Sequence, residues 1–312
     1  MKLKNKHGEV IIEGEYESVK HMLEENRETN LTEANLERID LRDVNLEGAD
    51  LVGANLGWAN LRKANLIEAN LQEANLREAN LERADLVDTD LRKANLRGAN
   101  LECANLEGAN LKGVNLECAN LECANLEYAN FREANLKGVN LKEANLLEAN
   151  LEYANLREAD FRKANLVEAD LSWANLQEAN LVGADLRKAN LRGADLREAD
   201  LQWTNLQEAN FKRADLGWAN LEGANLKGTN FKEAKYGGRV IKNTVINLTN
   251  LKYDILIFSG YIKIGCKLHS KEEWLEFTNR EILDMDGRSG LKFWKIWKET
   301  LILICETELM SK

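Results

Sequence analysis

The chain has 312 residues, 42 Lys and Arg against 52 Asp and Glu for a formal net charge of −10, and no proline at all. At roughly 100–200 residues per domain that allows about two or three units with a sizeable core, and the missing proline excludes proline-rich linkers and collagen-like or mucin-like stalks. The negative balance repels polyphosphate, so direct nucleic-acid binding is not expected. The longest apolar runs, Ile255 to Phe258 and Leu301 to Cys305, fall far short of the ~18–20 residues of a membrane span, and the first residues lack the apolar stretch of a secretory signal. A cytoplasmic protein without a membrane partner is expected. The five cysteines, Cys103, Cys118, Cys123, Cys266 and Cys305, have no paired spacing, which fits reduced thiols.

In chain order, Glu9 to Tyr16 reads as a strand or short hairpin, and Glu17 to Asn26 carries Val19, Met22 and Leu23 at helical spacing, so residues 1–28 are expected to form an N-terminal cap. From Leu31 to Phe231 every fifth residue is Leu or Phe, 41 times without a slip. With that residue called i, position i−1 is always Asn or Asp and i−2 is mostly Ala. A helix cannot use this period, because five residues at 100° each advance every leucine by about 140° and scatter them around the cylinder. A strand cannot either, since an odd spacing sends successive leucines to opposite faces. If each unit forms one side of a square coil, i and i−2 point to the axis while i−1, i+1 and i+2 point out.

The repeated A-[ND]-[LF]-x-x resembles the pentapeptide-repeat family over about two thirds of the chain. The resemblance implies an all-β solenoid, a right-handed quadrilateral β-helix with four units per coil, here residues 29–235. On that fold 41 units give about ten coils and, at about 4.8 Å per coil, a rod about 50 Å long.

The pattern dissolves at Lys235-Tyr236-Gly237-Gly238, and Val240 to Cys266 reads as a few strands. Ser270 with Glu273 forms a capping box that predicts a helix through about Asp284, followed by a break at Gly287 to Gly290 and a second helix with Leu291, Trp294, Trp297, Leu301 and Ile304 on one face. Residues 236–312 are therefore expected to form a small α+β unit. The stretch YIKIGCKLHSKEEW and the later LKFWKIWK resemble the tails of phage-encoded members, which implies a viral or prophage origin.

No phosphate-binding loop, dinucleotide fingerprint, zinc-protease motif or nucleophile elbow is present. Cys266 and His269 are the one Cys/His pair close in sequence, and two ligands do not make a tetrahedral site. No enzyme, catalytic residue, metal or cofactor is expected. Cys103 and Cys123 should be stacked neighbours, since residues twenty apart share a face. Outward aromatics at i+2 spread over all four faces without a single large patch.

Charge sorted by face gives the sharper signal. The face carrying Leu46, Leu66, Leu86, Leu106, Leu126, Leu146 and Leu166 presents Glu47, Glu68, Asp85, Asp88, Glu107, Glu127, Glu148 and Glu168 without an intervening Lys or Arg, until Arg187 and Lys188 end the run. Over the whole repeat this face totals −7, against 0, −2 and −2 for the others. The family resemblance implies a non-enzymatic binding protein that imitates DNA, its acidic face occupying the DNA channel of a topoisomerase such as gyrase, a nuclease or a restriction enzyme. The loops that interrupt the coils of quinolone-resistance members are missing here, so protection against quinolones is not implied. The alternative is a rigid scaffold whose basic, aromatic C-terminal unit binds a protein partner.

Overall fold

In the interior coils the five backbone N–H groups of each unit all find an acceptor. The computed structural model describes residues 1–242, 245–248, 251–253, 255–265 and 267–310. In the unit around Leu121, Ala119 N–H closes a turn onto the Leu116 carbonyl (2.9 Å), Asn120 N–H reaches back to Ala99 (3.0 Å), and Leu121 and Cys123 N–H reach forward to Asn140 (2.7 Å) and Lys142 (3.0 Å). The remaining donor, Glu122 N–H, has no backbone acceptor and takes the Asn120 side-chain Oδ1 at 3.2 Å. That is why i−1 must be Asn or Asp: a buried amide left without an acceptor costs about 1–3 kcal/mol, and the unit recurs along the whole chain.

Parallel bridges join each i−1 residue to the one twenty residues later, from Asn35 with Asn55 through Asn210 with Asn230. Four units therefore complete one turn. At many of the places where Asn follows Asn at that spacing, Nδ2 of one donates to Oδ1 of the other, as from Asn140 to Asn120 at 2.9 Å. Each turn also needs a left-handed residue at i+2, where Cys123 has φ 58° and Glu143 φ 57°. Glycine relieves this at some units, including Gly108 at φ 67°.

Inside, the leucines at i and the alanines at i−2 are buried, with Phe131, Phe161 and Phe211 fully enclosed. Phe211 stacks on Phe231 in the next turn with ring centroids 5.2 Å apart. Thr89 replaces Ala on the axis without an orphan hydroxyl, because its Oγ1 donates to the Leu66 carbonyl at 2.8 Å.

At the N-terminal end β1 (Lys2–Lys4) pairs antiparallel with β2 (Val10–Glu13), and α1 (Val19–Glu25) comes next, capped by Ser18. The Lys4 carbonyl accepts Asn35 N–H (2.8 Å) and Lys6 N–H donates to Glu33 (2.9 Å), so this hairpin stands where a preceding coil would. Leu3, Ile12, Met22 and Leu23 cover the core. The span Glu9 to Tyr16 contains only β2; its partner strand, Lys-Leu-Lys, is too short to carry a readable alternation.

At the other end β3 (Asp215–Leu216) pairs with β4 (Lys235–Tyr236), which turns back into β5 (Arg239–Val240). An antiparallel meander succeeds it, β6 (Ile246–Leu248), β7 (Ile255–Phe258), β8 (Tyr261–Ile264) and β9 (Lys267–Ser270), then α2 (Lys271–Glu276) and α3 (Asn279–Met310). β7 is buried on both sides. Leu256 and Phe258 join the core of the coils, with Phe258 edge-on to Tyr236 at 5.8 Å. Ile255 and Ile257 face Trp274, Phe293, Trp294 and Leu301 of the helices. The period-two alternation thus makes one strand the partition between coil end and helices.

The capping box at Ser270 is present, but the helix it starts does not run to Asp284. It stops at Phe277, and Thr278 begins α3, its Oγ1 accepting Glu281 N–H at 3.3 Å while its own N–H donates to Glu281 Oε2 at 2.8 Å. Thr278-Asn279-Arg280-Glu281 is a second capping box, and it divides the predicted helix in two. The expected break near Gly287 is present, since Asp286 (φ −154°) and Gly287 (φ 64°) leave the helical region and divide α3 into two helical segments.

Asn120→Leu removes an acceptor for a backbone amide and both ladder bonds, and should lower unfolding free energy by about 1–3 kcal/mol in urea titration, whereas Asn120→Asp keeps the acceptor and should cost less. Leu126→Asp, which places a carboxylate on the axis, should cost roughly 3–5 kcal/mol or unfold the chain, while Glu127→Gln beside it should leave the urea midpoint nearly unchanged. Equal damage from Leu126→Asp and Glu127→Gln would contradict the inside and outside assignment.

Candidate partner-binding face

Outward side chains twenty apart are vertical neighbours, and three faces use this to neutralise charge. Arg62 meets Glu82 (3.4 Å), Lys142 meets Glu122 (2.9 Å), Arg97 meets Glu117 (3.7 Å) and Arg132 meets Glu152 (3.2 Å). Arg next to Asp behaves differently: Arg92 folds back on Asp90 at 2.5 Å, and Arg162 on Asp160 at the same distance. The Arg92 guanidinium holds the Asp90 carboxyl below its usual range. Asn followed two residues later by Arg thus leaves the cation free to reach the adjacent coil, while Asp keeps it within its own.

The acidic face departs from this arrangement. Glu47, Glu68, Asp85, Asp88, Glu107, Glu127 and Glu148 have no cation within 4.0 Å among the described residues. Their partners are neutral: Asn65 Nδ2 donates to Glu47 (3.1 Å), Asn125 to Glu107 (3.3 Å), Asn145 to Glu127 (3.3 Å) and Asn105 to Asp85 (3.3 Å). Glu168 differs, because Lys188 reaches it at 2.7 Å. The uncompensated line therefore runs from Glu47 to Glu148.

Tyr128 stands in the middle of the line, half exposed. The Glu148 and Glu127 carboxylates, then burial, a hydrogen bond to Glu127 and the Glu107 charge, push its phenol above the ordinary tyrosine range. By sequence Tyr128 is one of the scattered outward aromatics; its place between Glu127 and Glu148 one coil on is the signal that the period alone could have supplied.

Other aromatics lie apart from this line. Trp58 is flanked by the guanidinium groups of Arg38 (5.2 Å) and Arg77 (5.6 Å), and Trp173 lies so close over Gly193 that a Cβ there would come within 2.4 Å of its ring. Cys103 and Cys123 do sit together; burial, the Cys103 thiol and nearby Glu143 and Glu122 raise the Cys123 thiol. Cys266, and with it any pairing to His269, lies outside the described residues. His269 packs edge-on against Trp274 and Phe277. Among the described residues no three His, Cys, Asp or Glu side chains converge as metal ligands, and no helix is long and apolar enough to cross a membrane.

The model of the pentapeptide repeats matches in eight copies, over residues 27–57, 54–92, 89–127, 119–152, 164–202, 174–213 and 209–235. The chain belongs to the pentapeptide-repeat family. No curated protein matches it. Among solved structures this pentapeptide-repeat protein is similar to HetL, a pentapeptide repeat protein involved in heterocyst differentiation regulation from the cyanobacterium Nostoc, at 36% identity and a TM-score of 0.67 over 72% of this chain and 100% of that one. A second Nostoc pentapeptide repeat protein matches at 40% identity over 28% of this chain and 68% of its own, with a TM-score of 0.24. QnrB1, a plasmid-mediated fluoroquinolone resistance protein, matches at 18% identity and a TM-score of 0.36 over 56% of this chain and 87% of its own, too distant to carry an argument.

The electrostatics of the face are open to direct measurement. Glu148→Gln should move the Tyr128 phenol back toward its ordinary value, seen as a tyrosinate absorbance change at lower pH than in the parent protein. The direction is set by the carboxylate, whose charge disfavours a neighbouring phenolate. An unchanged titration would separate Tyr128 from the ridge.

Proposed function

We propose that this protein is a non-enzymatic binding protein whose acidic ridge takes the place of the duplex DNA backbone in the basic channel of a DNA-handling enzyme, such as gyrase or another topoisomerase, a nuclease or a restriction enzyme. One observation carries the reading: successive carboxylates on one face lack cationic partners among the described residues, while each of the other faces pairs acids with a lysine or arginine one coil away. Leaving charges unpaired on one side of a rigid rod favours attraction to a positive groove and fast, salt-sensitive association. On this reading residues 29–235 wind as about ten right-handed coils, residues 1–28 close one end and residues 236–312 the other. Tyr128 supplies an aromatic anchor within the line, the side-chain type that dominates many interfaces.

A second reading, a scaffold whose C-terminal unit binds a protein partner, draws on the exposed Ile296 and Leu303 of α3. Competition separates the two. The protein should displace labelled duplex DNA from gyrase or from a member of a panel of nucleases and restriction enzymes. The triple change Glu107→Lys, Glu127→Lys and Glu148→Lys should weaken that displacement at least about tenfold and flatten its salt dependence, with the melting temperature preserved. The matched change Glu102→Lys, Glu122→Lys and Glu143→Lys on the next face alters net charge equally and should weaken it far less. Equal loss from both triples, or full competition by the ridge variant, would contradict the ridge as the contact face.

A further inference from the structure

Two thiols stand one above the other on the outside of the coils. Cys103 and Cys123 occupy the same i+2 position in consecutive turns, at the corner where the chain passes from the face of Leu101 and Leu121 to the acidic face. The backbone fixes them there: Cys103 N–H donates to the Glu122 carbonyl (2.9 Å), Leu101 N–H to Asn120 (2.7 Å), and Asn120 N–H returns to Ala99 (3.0 Å). Both residues are left-handed, at φ 54° and 58°, so their Cα–Cβ bonds leave the coils in the same direction. Both are exposed, and their side chains are in contact.

The spacing of the pair selects its chemistry. Stacked coils repeat at about 4.8 Å, and that repeat separates the two Cβ atoms. A disulfide holds its Cβ atoms about 3.5–4.5 Å apart, so closing one here would pull two turns together against their backbone ladder. A metal ion between two thiolates needs no such shift. At about 2.3 Å for each metal–sulfur bond, a linear bridge spans about 4.6 Å between sulfurs, nearly the coil repeat. Rotation about each Cα–Cβ bond opens the thiols to that span.

The surroundings offer the pair a cation's environment but no further ligands. Glu122 is engaged by Lys142 (2.9 Å), Glu143 by Lys163 (3.3 Å), and Arg83 in the preceding turn by Glu82 (3.8 Å). The Glu102 carboxylate meets only Asn120 Nδ2 (3.5 Å) among the described residues, which leaves one uncompensated negative charge beside the sulfurs. No third His, Cys, Asp or Glu converges with the pair among the described residues. Zinc, which takes four ligands, is therefore not matched, whereas a soft monovalent ion is satisfied by two thiolates.

We propose that Cys103 and Cys123 form a two-thiolate site for a soft monovalent metal ion of the Cu(I) class, bridging two adjacent coils. Binding forms two metal–sulfur bonds, breaks two S–H bonds and releases both protons to water, with no change of oxidation state. The site rests on the four-unit turn and not on any role of the acidic ridge.

The test is anaerobic addition of Cu(I) to the reduced full chain in millimolar glutathione, followed by desalting and metal analysis. About one equivalent should be retained, and X-ray absorption should show copper held linearly by two sulfurs. Cys103→Ser and Cys123→Ser, both at exposed positions, should each weaken retention about a hundredfold, with the circular dichroism spectrum and melting temperature kept, because a single thiol loses the effective concentration of its neighbour. Cys118→Ser should leave retention unchanged, since Cys118 is exposed but has Gly98 and Gly138 in the turns on either side. Loss of all copper to glutathione would overturn the proposal. Copper that stays when both Cys103 and Cys123 are changed to Ser, or equal loss on Cys118→Ser, would overturn it as well.

Discussion

Everything in this molecule depends on one side-chain oxygen. In each five-residue unit the amide at i+1 cannot reach a backbone carbonyl, and the carboxamide or carboxylate two residues before it supplies the acceptor, as Asn120 does for Glu122 at 3.2 Å. With that bond in place the other four amides pair to neighbouring coils or within the turn, and the backbone needs no water inside. The apolar core results from this arrangement rather than causing it. Leu and Ala would be buried equally well on many folds, whereas the Asn or Asp at every i−1 supplies the acceptor that this tight turn leaves its i+1 amide needing. Hydrophobic burial then supplies much of the stabilising free energy along the axis.

The same constraint shapes the surface chemistry. Because coils are stacked at the spacing of adjacent strands, about 4.8 Å, any side chain meets the one twenty residues away, and charge becomes a vertical pattern. On three faces lysines and arginines interrupt the acids, and pairs such as Lys142 with Glu122 offset repulsion although each contributes little by itself. On the fourth face none intervenes from Glu47 to Glu148. Two unit charges about 5 Å apart repel by roughly 0.8 kcal/mol even in water, so leaving seven carboxylates without cations is an arrangement that stability alone would not favour. A partner bringing positive charge would relieve it, and at the end of the line Lys188 already does so for Glu168 within the chain.

Legibility in the sequence obeyed the same division. The repeat was readable because its constraint is local: the period, the invariant i−1 and the small i−2 each have a single physical reason, and sorting by twenty placed Glu47 to Glu148 on one face. The direction of ion pairing was not read, because it turns on whether Asp or Asn precedes an arginine, as with Arg92 beside Asp90 against Arg62 reaching Glu82. The ends were harder. Lys2–Lys4 and Lys267–Ser270 are strands whose short, charged sequences carry no distinct alternation and whose pairing is supplied by neighbours.

The four-unit turn is the claim on which the acidic face and its unpaired charges both rest, and the cysteines give it a direct measurement. Cys103 and Cys123 are twenty residues apart and touch, whereas Cys118, fifteen residues from Cys103, lies on the adjoining face. Treatment with a short bifunctional thiol reagent and peptide mapping should therefore link Cys103 to Cys123. Inserting one five-residue unit, Ala-Asn-Leu-Glu-Gly, after Gly108 keeps the core period but turns everything beyond it by one side, bringing Cys118 twenty residues from Cys103. The account predicts that the cross-link then switches from Cys123 to Cys118. A cross-link that stays on Cys123 after the insertion would contradict four units per turn, and with it the alignment of the acidic face.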